Sequence, residues 1–239
     1  MKVSVILPAA GLGTRMRAGA ESTGTSRKQF MLLEGVPILI HTVRKFVASH
    51  HVTEVVVALR REDIPWVEGM IAHEKFQKPV RCVEGGETRQ ESVANALFSL
   101  EADVELVAVH DAVRPFVSQE IISETILTAA HHGAAITGIV PVDTVKQVHR
   151  HLVRGTLNRD RLVLAQTPQV FRAEILRRAF EKAREDGFTG TDESSLVERL
   201  ETVEIHVVPG SDRNIKITRP SDMELAQLFL ASERARVAG

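Results

Sequence analysis

The chain opens on Val3-Ser4-Val5-Ile6-Leu7 and runs straight into Pro8-Ala9-Ala10-Gly11-Leu12-Gly13-Thr14-Arg15-Met16. Four of the first five residues are apolar, which suits a central strand covered on both faces. Pro8 has no backbone N–H, so the ladder is expected to stop there. Ala9, Ala10, Gly11 and Gly13 are small, so a ligand can approach the backbone amides closely, and the glycines accept φ > 0 at little steric cost. Arg15 adds a fixed positive charge with fork geometry. A strand end, exposed amides and an arginine together describe a phosphate site. Two common versions of such a site fail. Met16 occupies the third glycine position of a G-x-G-x-x-G dinucleotide fingerprint, and no Gly-Lys pair follows to make a P-loop. Taken alone, the loop is equally an ordinary strand-to-helix turn.

The rest of the chain alternates strand-like and helical runs. Residues 53–59, 80–83, 106–109, 134–140 and 203–208 read as strands. Between the first of these and the opening strand, residues 37–49 place Ile38, Leu39, Val43, Phe46 and Val47 on one helical face. Thr88-Arg89-Gln90-Glu91 is a capping box ahead of Val93, Ala96 and Leu97. Residues 119–130, 173–185 and 223–235 carry the same helical spacing, the last behind a second box from Ser221 to Glu224. Such alternation predicts an α/β fold with a Rossmann-like, mostly parallel sheet flanked by helices. At 239 residues the chain is one large α/β domain or two small ones. Two stretches break the rhythm. Residues 18–26 are small and polar, so a mobile loop is expected. Residues 144–157 alternate loosely and read as a hairpin apart from the sheet, either an association element or a plain edge ribbon.

Composition excludes several functions. The formal net charge is -1, so no basic field argues for nucleic acid or an acidic membrane surface. Aromatic residues make up 4% and tyrosine is absent, which leaves little for base stacking. Cys82 is the only cysteine, so no intramolecular disulfide forms, and a zinc site would need histidines and carboxylates. The paired histidines, His50-His51 and His131-His132, fall near expected helix ends and read as solvated side chains. No uninterrupted apolar stretch is long enough to span a bilayer, and the N-terminus lacks a secretory pattern. A soluble cytoplasmic protein is expected.

In an open parallel sheet, ligands bind beyond the carboxyl ends of the strands. There the chain places Glu84-Gly85-Gly86-Glu87-Thr88-Arg89, His110-Asp111-Ala112-Val113-Arg114-Pro115 and Pro141-Val142-Asp143-Thr144-Val145-Lys146. Asp111 is the best metal candidate, because a single carboxylate suits Mg²⁺, which keeps waters and takes substrate phosphates as further ligands. The competing reading of Asp111 is a turn or cap aspartate. Taken alone, Arg114 reads as its structural partner, and Lys28 as one surface lysine among many.

The motifs in order resemble a known family. The first loop is similar to the P-A-A-G-x-G-x-R-M pattern of sugar-type nucleotidyltransferases. Lys28-Gln29-Phe30, Gly85-Gly86-x-x-Arg89-x-Glu91-Ser92-Val93 and His110-Asp111-Ala112-Val113-Arg114-Pro115 follow. So do Gln166-Thr167-Pro168-Gln169, Thr191-Asp192-Glu193-Ser194-Ser195 and Asn214-Ile215-Lys216-Ile217-Thr218. Across nearly the whole chain this set resembles the 2-C-methyl-D-erythritol 4-phosphate cytidylyltransferase family. There are departures: the 15–28 stretch is longer, Glu91 replaces Asp, Val163 replaces Trp and Val113 replaces Ala.

The resemblance implies a single nucleotidyltransferase domain over 1–239, with a projecting β-hairpin dimerisation arm at about 142–162. It implies transfer of the cytidylyl group of CTP to methylerythritol phosphate with release of pyrophosphate, and Mg²⁺ as cofactor. Catalytic roles fall on Arg15, Lys28, Arg159 and Lys216, and metal binding on Asp111. Nucleotide binding falls on Pro8, Ala9, Ala10, Gly11, Gly13, Gly86, Glu87, Ser92 and Ala112. Contacts to the second substrate fall on Arg114, Thr144, Thr167 and Thr191. Arg159 is expected to act across a homodimer with a shared active site. Two alternatives remain: a ribitol 5-phosphate cytidylyltransferase on the same skeleton, and a CTP-binding regulatory homologue without activity.

Overall fold

A computed structural model describes residues 1–11 and 27–238. Gly13, Arg15 and the expected mobile loop at 18–26 lie outside the described residues. Strand β1 (Val3–Pro8) ends at its proline, and every residue before the proline is buried. A single 3-10 turn at Lys28–Phe30 leads to the short pair β2 (Leu32–Leu33) and β3 (Val36–Pro37), then to helix α1 (Ile38–Val47). Next come β4 (Glu54–Leu59), α2 (Ile64–Glu74), β5 (Val80–Glu84), α3 (Arg89–Phe98), β6 (Leu106–Val109), α4 (Gln119–His132) and β7 (Ala134–Ile139). The hairpin strands β8 (Lys146–His149) and β9 (Leu152–Thr156) follow, and after them β10 (Leu164–Arg172), α5 (Ala173–Glu185), α6 (Glu193–Glu198), β11 (His206–Pro209) and α7 (Pro220–Ala238).

The main sheet has seven strands in the order β11-β7-β10-β6-β1-β4-β5. All neighbours pair in parallel except β10, which runs antiparallel to both β6 and β7. Strand side chains alternate between two cores, as a period of two requires. Val55, Val57 and Leu59 of β4 pack with Leu39, Val43 and Phe46 of α1 and Ile122 and Ile126 of α4. Val56 and Ala58 face the other side with Val93, Ala96 and Leu97 of α3 and Leu176, Ala179 and Phe180 of α5. Helices therefore cover both faces, as the strand composition predicts.

Besides the two-residue strands β2 and β3, three elements escaped the sequence reading. Strand β10 contains Pro168 behind a cis Thr167–Pro168 bond, and its ladder shifts register between Ala165 and Gln169, so the missing N–H falls where pairing is interrupted. Helix α2 fully buries only Val67, with Ile64, Met70 and Ile71 packed beside it at helical spacing, a short pattern that the sequence reading passed over. Helix α6 is six residues long, too short to show a period. One cap also differs. The Thr88 box forms with both reciprocal bonds, but α7 does not start behind a box from Ser221 to Glu224. It starts at Pro220, a position where a missing N–H costs nothing. The Asp222 carboxylate then accepts from the N–H groups of Thr218 and Arg219 at 2.8 Å each.

Candidate active site

Chain direction sets the place of the site. From β1 the sheet grows outward through β4 and β5, then returns to put β6 on the other side of β1. That reversal opens a crevice at the carboxyl ends of β1 and β6, the standard ligand position in open α/β sheets. A cavity of about 240 Å³ lies there, lined by Pro8 at the end of β1 and Ala9, Ala10 and Gly11 beyond it, by Gly86 to Arg89 and Ser92 beyond β5, and by Asp111, Ala112 and Val113 beyond β6. Lys28, Gln29 and Lys216 complete its wall.

Small residues are required where the loops meet. A Cβ on Gly85 would lie 2.7 Å from the Ala10 Cβ, and one on Gly86 would lie 2.3 Å from the Glu91 Cβ. The Ser92 hydroxyl ties this turn down, accepting from Gly86 N–H at 3.1 Å and donating to the Thr88 carbonyl at 2.8 Å. Gln29 holds the first loop in place: its buried amide donates to the carbonyls of Ala9 at 2.7 Å and Gly11 at 3.1 Å. Arg60 Nε donates to the Ala10 carbonyl at 3.1 Å. Gln29 and Arg60 leave no periodic trace, and Gln29 was visible only as the middle letter of a motif.

Asp111 is buried at the centre of a cationic cluster. Its Oδ2 lies 2.9 Å from Lys216 Nζ and 3.1 Å from Arg114 Nε, and its Oδ1 lies 3.4 Å from Arg89 Nε. Burial pushes the carboxyl pKa up, but Lys216, Arg89 and Arg114 together outweigh it and hold the group well below the usual carboxylate range. Arg89 turns its other edge to Glu193, giving Nη1 to Oε1 at 2.7 Å and Nη2 to Oε2 at 3.0 Å. Lys216 reaches Asp111 because its segment runs beside the β6 loop. Ile217 N–H donates to the Val113 carbonyl at 3.0 Å, and Arg114 Nη1 donates to the Asn214 carbonyl at 2.7 Å.

Behind Asp111 lies a directed chain of hydrogen bonds. Asp111 N–H donates to Thr167 Oγ1 at 3.0 Å, and Thr167 Oγ1 lies 3.0 Å from His110 Nδ1. His110 Nε2 sits 3.1 Å from the Arg114 carbonyl, an acceptor only, so the ring carries its proton on Nε2 and takes the Thr167 hydroxyl at Nδ1. Full burial pushes the His110 pKa down to about 4, consistent with a neutral ring.

The expected site residues therefore divide. Pro8, Ala9, Ala10, Gly11, Lys28, Gly86, Glu87, Ser92, Asp111, Ala112 and Lys216 meet on one cavity. Arg114 and Thr167 sit behind it, bonded to Asp111 and its scaffold. Thr191 lies exposed on a small neighbouring hollow that shares Arg89 and Glu193. Thr144 is exposed in the segment leading to the hairpin, and Arg159, also exposed, donates to the Val142 carbonyl at 2.6 Å.

The donor set also bears on metals. Among the described residues, no group of three or more His, Cys, Asp or Glu side chains could hold a metal ion. One buried carboxylate at a strand end fits a hard divalent cation only where phosphates and water supply its other ligands.

Fold and cavity define an α/β protein with its candidate ligand site at the sheet's switch point. The chain belongs to the 2-C-methyl-D-erythritol 4-phosphate cytidylyltransferase family, IspD, whose model matches residues 3–232. It is 65% identical to the 2-C-methyl-D-erythritol 4-phosphate cytidylyltransferase of Solibacter usitatus over 241 residues, covering 99% of this chain and 98% of that one. Identity to the protein of the same name from Acidobacterium capsulatum is 51%, over 99% of this chain and 100% of the relative. The crystal structure of 4-diphosphocytidyl-2C-methyl-D-erythritol synthase from Anaerococcus prevotii superposes with a TM-score of 0.83 at 31% identity, over 96% of this chain and 98% of that one.

Proposed function

We propose that the chain transfers the cytidylyl group of CTP to 2-C-methyl-D-erythritol 4-phosphate, releasing pyrophosphate, in isoprenoid precursor biosynthesis. The observation that carries this reading is the cavity at the switch point, where amide-bearing small residues, Lys28 and the Asp111–Lys216 pair converge.

A phosphate oxygen of the polyol substrate attacks the α-phosphorus of CTP. The new P–O bond forms as the α–β bridging bond breaks, and pyrophosphate leaves. The attacking group is already an anion near neutral pH, because the second pKa of a phosphate monoester is about 6. No general base is needed, and His110 is walled off behind Asp111. The barrier is electrostatic, so catalysis consists mainly of positioning and charge neutralisation. Lys28 and Arg15 stabilise charge on the α-phosphate. The Ala9, Ala10 and Gly11 backbone, with Pro8 and Gly13, cradles the triphosphate. Gly86, Glu87, Ser92 and Ala112 read the cytidine, and their tight packing excludes a purine. Asp111 would hold Mg²⁺, which when bound neutralises phosphate oxygens. Lys216, Thr144 and Thr191 serve the polyol phosphate, and Arg114 and Thr167 support that end of the site from behind Asp111. Arg159 reaches the site of a second copy in a homodimer, carried there by the hairpin arm.

Pyrophosphate release over a panel of nucleotides and polyol phosphates tests the reading. Turnover is expected with CTP and methylerythritol 4-phosphate together. Faster turnover with ribitol 5-phosphate would reassign the substrate, and CTP binding without pyrophosphate release would make the protein a regulator.

A further inference from the structure

The connection from β4 to α2 and the first turn of α2 grip the Lys28 turn at two points. Arg27, directly before Lys28, forms a two-bond fork with Asp63, its Nη1 on Oδ2 and its Nη2 on Oδ1. The Phe30 ring stands edge-on to Trp66 at 4.9 Å and 88°. Between them, Gln29 is fixed to the Ala9 and Gly11 carbonyls. Residues 27, 29 and 30 are thus each tied down, and Lys28 is set against the cavity.

Asp63 is placed for another task. It occupies the N-cap of α2, where an aspartate ordinarily accepts from its own helix. Yet it makes no side-chain cap bond. Both oxygens go to Arg27, although Asp63 is only 6% exposed. A 3-10 turn at Arg61–Asp63 runs straight into α2, so the Asp63 backbone is already helical at φ -91° and ψ -19°, and its carboxylate holds the arginine at the entrance to the lysine turn instead of capping. A lysine stem is flexible, so the backbone that bears it sets where the stem starts and which part of the cavity its ammonium reaches.

We propose that Asp63, acting through Arg27, is a positioning residue for Lys28. The proposal rests on the role given to Lys28 above. The fork fixes the plane of the guanidinium and hence the chain at residue 27. Losing it leaves the cavity walls intact but lets the Lys28 ammonium wander from the reacting phosphate.

The test is steady-state pyrophosphate release by the full chain with CTP and methylerythritol 4-phosphate. Asp63→Asn and Arg27→Gln are each made alone and combined with Lys28→Ala. Each alone is expected to lower kcat about 10- to 100-fold, the scale of a misplaced group, with KM for CTP within about twofold. Neither should lower kcat further once Lys28 is alanine, because residues acting as a unit are not additive. Arg27→Lys should restore only part of the rate, since an ammonium cannot make the fork. Asp63→Asn disturbs a buried site, so its melting temperature is measured alongside. Arg27→Gln alters a more accessible side chain and keeps the test decisive if Asp63→Asn does not fold. An unchanged kcat in Arg27→Gln, or losses that multiply with Lys28→Ala, would overturn the proposal while leaving Lys28 in its role. An unchanged kcat in Lys28→Ala itself would overturn that role, and the proposal with it.

Discussion

Asp111 is kept ionised by side chains rather than by water, with Lys216, Arg114 and Arg89 converging on it. Asp111→Asn leaves those cations facing a neutral amide. It should destabilise the fold by roughly 2–3 kcal/mol, less than a fully buried pair because Lys216 and Arg89 reach water. Urea unfolding at neutral pH measures this, and turnover should fall in the same variant. His110 gives a second prediction. Its pKa falls from 6.5 to about 4 in the folded state, so below pH 6.5 the unfolded chain binds a proton the folded chain refuses. This contribution is fully present above pH 6.5 and is lost as pH drops toward 4, about 3 kcal/mol in all. Unfolding free energies at pH 7.5 and 4.5 should show the slope, and His110→Gln should flatten it. Both residues were visible in the His110 to Pro115 motif. The bond from Thr167 that makes His110 an acceptor was not, because it joins positions far apart in the chain.

Among the elements, the hairpin of β8 and β9 stands where a hairpin apart from the sheet was expected, and among the described residues its strands pair only with each other. Its two-residue turn, Arg150-His151, holds φ at 47° and 65°. Both lie in the left-handed region, which costs an ordinary residue about 1 kcal/mol or more, whereas Asn-Gly adopts it readily. Replacing Arg150 by Asn and His151 by Gly together should therefore stabilise the hairpin. Slower amide exchange across β8 and β9 would register the gain, and unchanged exchange would count against it. Elements with a strong pattern were legible: β1 by its apolar run, α1 by its face, α3 by its Thr88 box. Strand β10 was not, since Pro168 denies it a strand pattern and only its neighbours β6 and β7 make it one.

For the whole molecule, the chain carries Arg159 at the base of the arm, engaged with the Val142 carbonyl and not lining the cavity formed by Lys28 and Asp111. If the arm completes a partner's site, inactive Arg159→Ala and Lys28→Ala proteins should regain activity when mixed, because hybrid dimers carry one intact site. Activity that stays at the level of the separate variants, with subunit exchange confirmed, would count against a site shared between subunits. The arm exposes Val148, Leu152 and Val153, which gives an association surface in keeping with that arrangement.

Sequence by itself determined the local chemistry. Period-two and period-3.6 patterns named most strands and helices, and the glycine, carboxylate and cation motifs marked the strand ends, because those signals come from neighbours within a few residues. Tertiary structure decided which ends meet. Three of them, after β1, β5 and β6, form the cavity, while Pro141 to Lys146 after β7 departs toward the hairpin. Tertiary structure also decided the long-range ties: Gln29 on the first loop, Arg27 on Asp63, and Lys216 brought to Asp111 by the bond from Ile217 to Val113. The opening loop was compatible with a bare turn while it stood alone. Its described residues, Pro8 to Gly11, become one wall of the cavity because strand order places β6 beside β1, and strand order depends on how the two cores pack rather than on any one segment.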